Sequence, residues 1–251
     1  MSALKQALAV RRPQIGLWQA LANAYTAEIC AGAGYDWLLF DGEHAPNTIQ
    51  TLLAQLQAVK AYPVEAVARP PAGDPAIIKQ YLDIGFRSLL IPMVESAAQA
   101  KMLVAATRFP PHGIRGVASA TSRASGFGAN ARYLENTHAD ICLVVQIESA
   151  AGLAAIEDIA AIEGVDALFI GPGDLAGGLG HLGDSTHPKV VSAISQALTR
   201  IQSAGKAAGI FAPSAKTAAQ YLQAGACLIS IGTDTGLLFN GAVKLRQSMN
   251  P

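Results

Sequence analysis

Trp37-Leu-Leu-Phe-Asp-Gly-Glu-His44, Val64-Glu-Ala-Val-Ala-Arg69, Leu143-Val-Val-Gln-Ile-Glu148 and Leu168-Phe-Ile-Gly-Pro-Gly-Asp174 share one design: an apolar run that stops on residues able to do chemistry. The runs do not alternate polar with apolar. Each therefore reads as a strand buried on both faces, the mark of a parallel sheet covered by helices. In an α/β barrel the catalytic groups stand at the C-terminal ends of such strands. Two carboxylates, one histidine and one arginine are then expected to meet at one rim.

Working outward, the punctuation repeats. Gly34, Gly85, Gly164, Gly205 and Gly225 each close a helical stretch and precede a short apolar run, as a left-handed C-terminal residue does. Tyr81-Leu-Asp-Ile-Gly85 and Tyr221-Leu-Gln-Ala-Gly225 are near copies of that half-unit. Helix starts agree: Asp74-Pro75 supplies an N-cap and a first-turn proline, followed by the apolar positions Ile77, Ile78, Tyr81 and Leu82. Pro188 opens another helix, with a stripe of Val191, Ile194, Leu198 and Ile201. Strands are expected at 14–18, 36–40, 64–68, 87–92, 141–147, 166–171, 207–211 and 227–231. Eight strands alternating with helices predict a single-domain (β/α)8 TIM barrel over residues 1–251. A long Gly- and Ser-rich segment, about 109–135, interrupts the rhythm and is expected to be an active-site loop because it comes after the fourth strand.

Bulk composition narrows the function classes. Hydrophobic residues make up 51% of the 251-residue chain, enough for a large core, yet they fall in short runs that do not reach the length of a membrane span. Lys plus Arg equals Asp plus Glu at 18 each, so no net field draws in nucleic acid or an anionic membrane. Cys30, Cys142 and Cys227 are far apart and lack CxxC spacing, which fits packing thiols in a reducing cytoplasm. Arg11-Arg12 is followed by too many polar residues for an export signal.

Glu148 and Asp174 follow adjacent strands, five and six. Two such acids repel unless a cation or a shared proton lies between them, and oxygen ligands suit an octahedral divalent ion; two solvated loop acids are the alternative. His44 reads as a general base, a zinc ligand or a plain loop histidine, and the other four histidines show no metal spacing. Arg69 offers a planar fork to a carboxylate or enolate oxygen, or pairs with a rim acid such as Asp41, or does both. Gly171-Pro-Gly173 permits close backbone approach to a ligand. A Schiff-base aldolase would need a lysine at a strand's C-terminal end; none of the eight has one, and Lys206 precedes strand seven. No GxGxxG after a strand and no P-loop is present.

Seven collinear segments together resemble the HpcH/HpaI aldolases, the 4-hydroxy-2-oxoheptanedioate aldolases and their 2-dehydro-3-deoxy sugar-acid relatives. The segments are Arg12-Pro-Gln-Ile-Gly-Leu-Trp18, Asp36-Trp-Leu-Leu-Phe-Asp-Gly-Glu-His-Ala-Pro-Asn47, Arg69-Pro70, Leu89-Leu-Ile-Pro-Met-Val94, Gly113-Ile-Arg-Gly-Val117, Val145-Gln-Ile-Glu148 and Gly164-Val-Asp-Ala-Leu-Phe-Ile-Gly-Pro-Gly-Asp-Leu175. The resemblance implies a class II pyruvate aldolase that uses Mg²⁺, Mn²⁺ or Co²⁺ and joins or releases pyruvate and an aldehyde such as succinic semialdehyde. It implies that Glu148 and Asp174 hold the ion, and that Arg69, Gln146, Gly173 and Asp174 contact substrate. It gives His44 the role of base and Arg69 that of stabilising the transition state. It also implies that Asp83 tunes His44. Asp83 falls at a helix C-terminus, so it is expected to reach the histidine of a neighbouring subunit in a homo-oligomer, by family habit a hexamer. Arg115 to Gly128 is expected to line the aldehyde side, across a subunit boundary. Three departures bear on specificity: Gly173 where relatives carry alanine or serine, Ser125-Gly-Phe-Gly128 where they often carry a tryptophan, and Phe211 where they carry a smaller aliphatic. A 2-dehydro-3-deoxy sugar-acid aldolase of the same family is the first alternative, followed by a CoA-ester lyase or a non-catalytic oxoacid-binding barrel.

Overall fold

The computed structural model describes residues 2–249, leaving aside the side chains at 136 and 137. Its eight parallel strands are β1 (Gln14–Gln19), β2 (Trp37–Asp41), β3 (Glu65–Arg69), β4 (Ser88–Ile91), β5 (Cys142–Ile147), β6 (Ala167–Ile170), β7 (Ala207–Phe211) and β8 (Leu228–Thr233). They close in sequence order into one barrel, β1 pairing with both β2 and β8. Each expected strand is present within two residues of its expected ends.

The uniform hydrophobicity of the strands follows from two cores that share them. Trp18, Trp37, Leu39, Val67, Leu90, Val144 and Phe169 fill the barrel interior, while Leu17, Leu38, Phe40, Ala68, Leu89, Val145 and Ile170 face the helices. Leu4 and Leu8 of the helix Ala3–Ala9 join the interior core, with Ser2 capping that helix. Gly16 is required here, because any Cβ would collide with the indole of Trp37. Cys142 and Cys227 are free thiols packed in the interior, as small apolar groups. Gly34, Gly85, Gly164, Gly205 and Gly225 all adopt positive φ, closing helices as their sequence contexts require.

Two expectations are corrected. In the helix Pro188–Ser203 the buried stripe contains Val190, while Val191 is exposed. The long Gly- and Ser-rich segment does not sit on the catalytic rim of its own barrel. The helix Ala97–Thr107 intervenes and carries the chain back to the opposite face, where Arg123 Nη1 donates to Ile84 O at 2.8 Å and Arg115 pairs with Asp83. No helix among the described residues is long and apolar enough to cross a membrane.

Candidate active site

The β2–β3 register sets Asp41 beside Arg69 at the rim. Asp41 accepts from Arg69 Nε at 2.9 Å and from Nη2 at 2.8 Å, a bidentate fork with each side chain 5% exposed. Asp41 Oδ1 also accepts from the backbone N–H of Glu43 at 3.0 Å. Arg69 Nη1 reaches Glu43 Oε2 at 2.8 Å, and its guanidinium carbon lies 4.2 Å from the Trp18 ring centroid. Two of the five guanidinium N–H groups donate to Asp41, and Nη1 stands in an ion pair with Glu43 without a hydrogen bond to it, so the fork keeps donors for a ligand. Both halves of the sequence expectation for Arg69 are therefore compatible: it is salt-bridged to Asp41 and still has free donors.

The turn after β2 is pinned from several sides. Asn47 Nδ2 donates to Asp41 O at 2.7 Å, and Asn47 Oδ1 in turn accepts from Thr51 and Gln55. Gly42 lies so close to Tyr81 Oη and Arg69 O that a side chain is excluded. His44 projects from this turn, 66% exposed, with Nε2 at 3.7 Å from Glu43 Oε2. Burial pushes the Glu43 carboxyl up, while Arg69 and His44 pull it down.

Across the rim, Glu148 is buried and accepts from the backbone N–H of Met93 at 2.8 Å, Met93 being held at φ 53°. Its other oxygen meets Gln146 Nε2, and Gly171 packs so closely on both side chains that a Cβ would overlap them. Burial raises the Glu148 carboxyl to about 7; the Met93 N–H opposes this, and the charges of Asp174 and Glu43 add to it. Asp174, in the first turn of the helix Pro172–Gly178, is thus within electrostatic reach of both glutamates. The Cβ position of Gly173 faces open space. Trp18 and Phe211 meet edge-on, with ring centroids 5.7 Å apart, beside Arg69. Gln146, Glu148, Asp174, Arg69 and His44 therefore gather at one end of the barrel, together with Glu43 and Trp18, which sequence reasoning did not single out.

The sequence profile of the HpcH/HpaI aldolase/citrate lyase family matches residues 14–241. The chain belongs to the HpcH/HpaI aldolase/citrate lyase family. A Deinococcus radiodurans relative named hydroxypyruvate/pyruvate aldolase is 56% identical over 247 residues, 98% of this chain and 89% of the relative. A Salmonella heidelberg relative named 4-hydroxy-2-oxo-heptane-1,7-dioate aldolase is 50% identical over 244 residues, 97% and 93% of the two chains. A crystal structure of an HpcH/HpaI family protein from Burkholderia cenocepacia superposes with a TM-score of 0.96 at 43% identity, covering 99% of each chain. At these identities along nearly the whole length, this HpcH/HpaI family member is a carbon–carbon lyase of the aldolase type.

Not every candidate residue joins the cluster. Asp83 ends the helix Pro75–Asp83 and is ion-paired with Arg115 at 2.6 Å, at the face opposite the rim. Lys206 lies at the base of β7 with Nζ on Val165 O at 2.6 Å, so it offers no Schiff-base amine to this site.

Proposed function

We propose that the protein is a divalent-metal-assisted aldolase that cleaves 4-hydroxy-2-oxoacids reversibly to pyruvate and an aldehyde. The observation that carries this is the buried Glu148 carboxyl, raised to about 7 and facing Asp174 beside an arginine with spare donors. The donor set fits a hard cation. Gln146 Oε1 is buried without a hydrogen-bond partner, and a positive charge between Glu148 and Asp174 would offset their mutual repulsion. Among the described residues no group of three or more His, Cys, Asp and Glu side chains forms a full protein ligand set. Glu148 and Asp174 would therefore share the ion with water and substrate oxygens, as suits Mg²⁺, Mn²⁺ or Co²⁺. When bound, the ion supplies Lewis-acid polarisation of the 2-oxoacid.

The chain's own residues complete the chemistry. In cleavage, His44 takes the proton of the C4 hydroxyl. The C3–C4 bond breaks with its electron pair moving toward C3, and C4 leaves as the aldehyde. The N–H groups of Arg69 not taken by Asp41 donate to the oxygen on which enolate charge develops, and Asp41 holds the guanidinium there without reorganisation. The proton held by His44 then returns to C3, directly or through water, which yields pyruvate and restores the base, and addition runs the same steps in reverse. The Gly173 backbone and the Gln146 side chain orient the oxoacid. The Trp18–Phe211 pair gives the aldehyde side an aromatic wall. Hydroxypyruvate and pyruvate both belong among the donors to be tested, since the D. radiodurans relative carries both in its name.

The active form is an oligomer, a hexamer in this proposal, acting in the cytoplasm. The helix Asp234–Gln247 supports assembly: Leu237, Leu238, Phe239 and Leu245 are all exposed on it, an apolar surface that a second copy would cover. Asp83, remote from its own His44, would complete a neighbour's site. Pyruvate release from 4-hydroxy-2-oxoheptanedioate tests the reaction. Activity lost in EDTA and restored by Mn²⁺ or Mg²⁺ is expected, and full activity in EDTA would overturn the metal-assisted reading.

A further inference from the structure

Asp83 breaks a local rule. It is the last residue of a helix whose C-terminal carbonyls already carry partial negative charge, a place that favours cations over acids. The compensation comes from 32 residues away in sequence, where Arg115 Nη2 donates to Asp83 Oδ1 at 2.6 Å and to Tyr133 Oη at 2.9 Å. The Arg115 side chain is 0% exposed, against 24% for Asp83. Burying a guanidinium is costly unless it is well paired. Here Nε and Nη1 meet no hydrogen-bond acceptor, so the group's hydrogen bonding is concentrated on Nη2.

Everything else about Arg115 fixes it in place. Its backbone N–H donates to Arg108 O at 2.9 Å, and that of Ile114 donates to Ala105 O at 2.9 Å. Gly113 makes this docking possible, because a Cβ there would strike Arg108 and Ala105 backbone oxygens. The guanidinium carbon stands 4.6 Å from the Phe109 ring centroid and 5.8 Å from that of Tyr133. A long, flexible side chain is thereby reduced to one orientation, and Asp83 Oδ1 is tied to it. Only Oδ1 enters that bond, and the Asp83 side chain stays 24% exposed. When such a rule is broken and then compensated by a buried charge, a functional demand is the expected cause.

We infer that Arg115 is a positioning residue for the aldol reaction. It clamps Asp83 so that the second carboxylate oxygen is presented to His44 of a neighbouring copy. This rests on the proposed cross-subunit role of Asp83, and the experiment separates the two ideas.

Steady-state kcat and KM for pyruvate-forming cleavage are measured for Asp83→Asn, Arg115→Met, Arg115→Lys and the Asp83→Asn/Arg115→Met double variant, with mass and melting temperature recorded for each. Outer partners that orient a working group are worth about 10- to 100-fold. Asp83→Asn and Arg115→Met are both expected to lower kcat by such a factor with KM changed less than about 2-fold. The double variant is expected to be no worse than Asp83→Asn alone, because the arginine acts through the acid. Arg115→Lys, which keeps the charge and loses the planar fork, should recover part of the loss. A wild-type kcat for Asp83→Asn overturns the cross-subunit reading and this inference with it. An impaired Asp83→Asn beside a wild-type Arg115→Met overturns the inference alone, as do additive losses in the double variant. Loss of the assembly in both arginine variants while Asp83→Asn retains it also overturns the inference, since Arg115 would then hold the segment and not the acid.

Discussion

Replacing Asp41 with asparagine tests the electrostatic frame of the site. The carboxylate receives Arg69 Nε at 2.9 Å and Nη2 at 2.8 Å, with both side chains 5% exposed. An asparagine has one acceptor oxygen and must turn its NH₂ toward the remaining guanidinium N–H, so one charge-assisted bond is lost and a like-signed contact replaces it. Breaking a buried ion pair from one side costs about 3–5 kcal/mol. Glu43 stays within 2.8 Å of Arg69 Nη1 and shares the load. A net cost of about 2–4 kcal/mol follows, which in a barrel of this size lowers the melting temperature by roughly 5–15 °C. Calorimetry of Asp41→Asn, Arg69→Met and the double variant gives the coupling directly. It is expected to exceed about 1.5 kcal/mol, since the two side chains share one fork. Turnover should collapse in Asp41→Asn, because the same carboxylate fixes Arg69 and the backbone that carries Glu43 and His44. A melting shift under about 1 °C, or a coupling below about 0.5 kcal/mol, would refute the reasoning.

Other outcomes follow from the same geometry. Glu148 holds its proton more tightly in the folded chain than in the unfolded one, so metal-free protein gains stability that is full below the ordinary carboxylate range and is lost as pH rises through about 7. Melting temperatures in EDTA should accordingly fall between about pH 5 and about pH 8, with Mn²⁺ restoring more at the upper end; a flat profile would contradict this. Gly171→Ala forces a methyl onto Glu148 and Gln146 and should cost about 1–3 kcal/mol along with Mn²⁺ affinity, while Gly173→Ala points into open space and should leave calorimetric metal binding unchanged. Phe211→Leu removes half of the Trp18–Phe211 wall and should change the ratio of kcat/KM between small and long aldehydes while pyruvate KM stays fixed.

How much of this was legible in the sequence depended on how local the signal was. The strands were legible because a barrel buries both faces of each one, and the helix ends because positive-φ glycines closed them. The ends of β2, β3, β5 and β6 could be read as one rim because parallel strands point the same way. Glu43 was missed: an acid in a turn full of polar residues carries no signal until the Asp41–Arg69 register brings the guanidinium to it. Position after β4 does not place the long segment at the tip of that strand. An 11-residue helix separates them and spans about 16 Å, enough to return the chain to the other face. Arg115 is separated from Asp83 by that same helix, and nothing in the spacing of the two residues announces their pairing.

Deuterium incorporation into the methyl group of pyruvate, followed by NMR in D₂O, shows whether the site enolises its substrate, because label enters only where the site removes and returns a C3 proton. Protein loaded with Mn²⁺ or Mg²⁺ is expected to exchange the methyl protons in the absence of any aldehyde, and EDTA-treated protein is expected not to. Pyruvate that binds the metal-loaded protein and keeps its protons would rule out an enolising site.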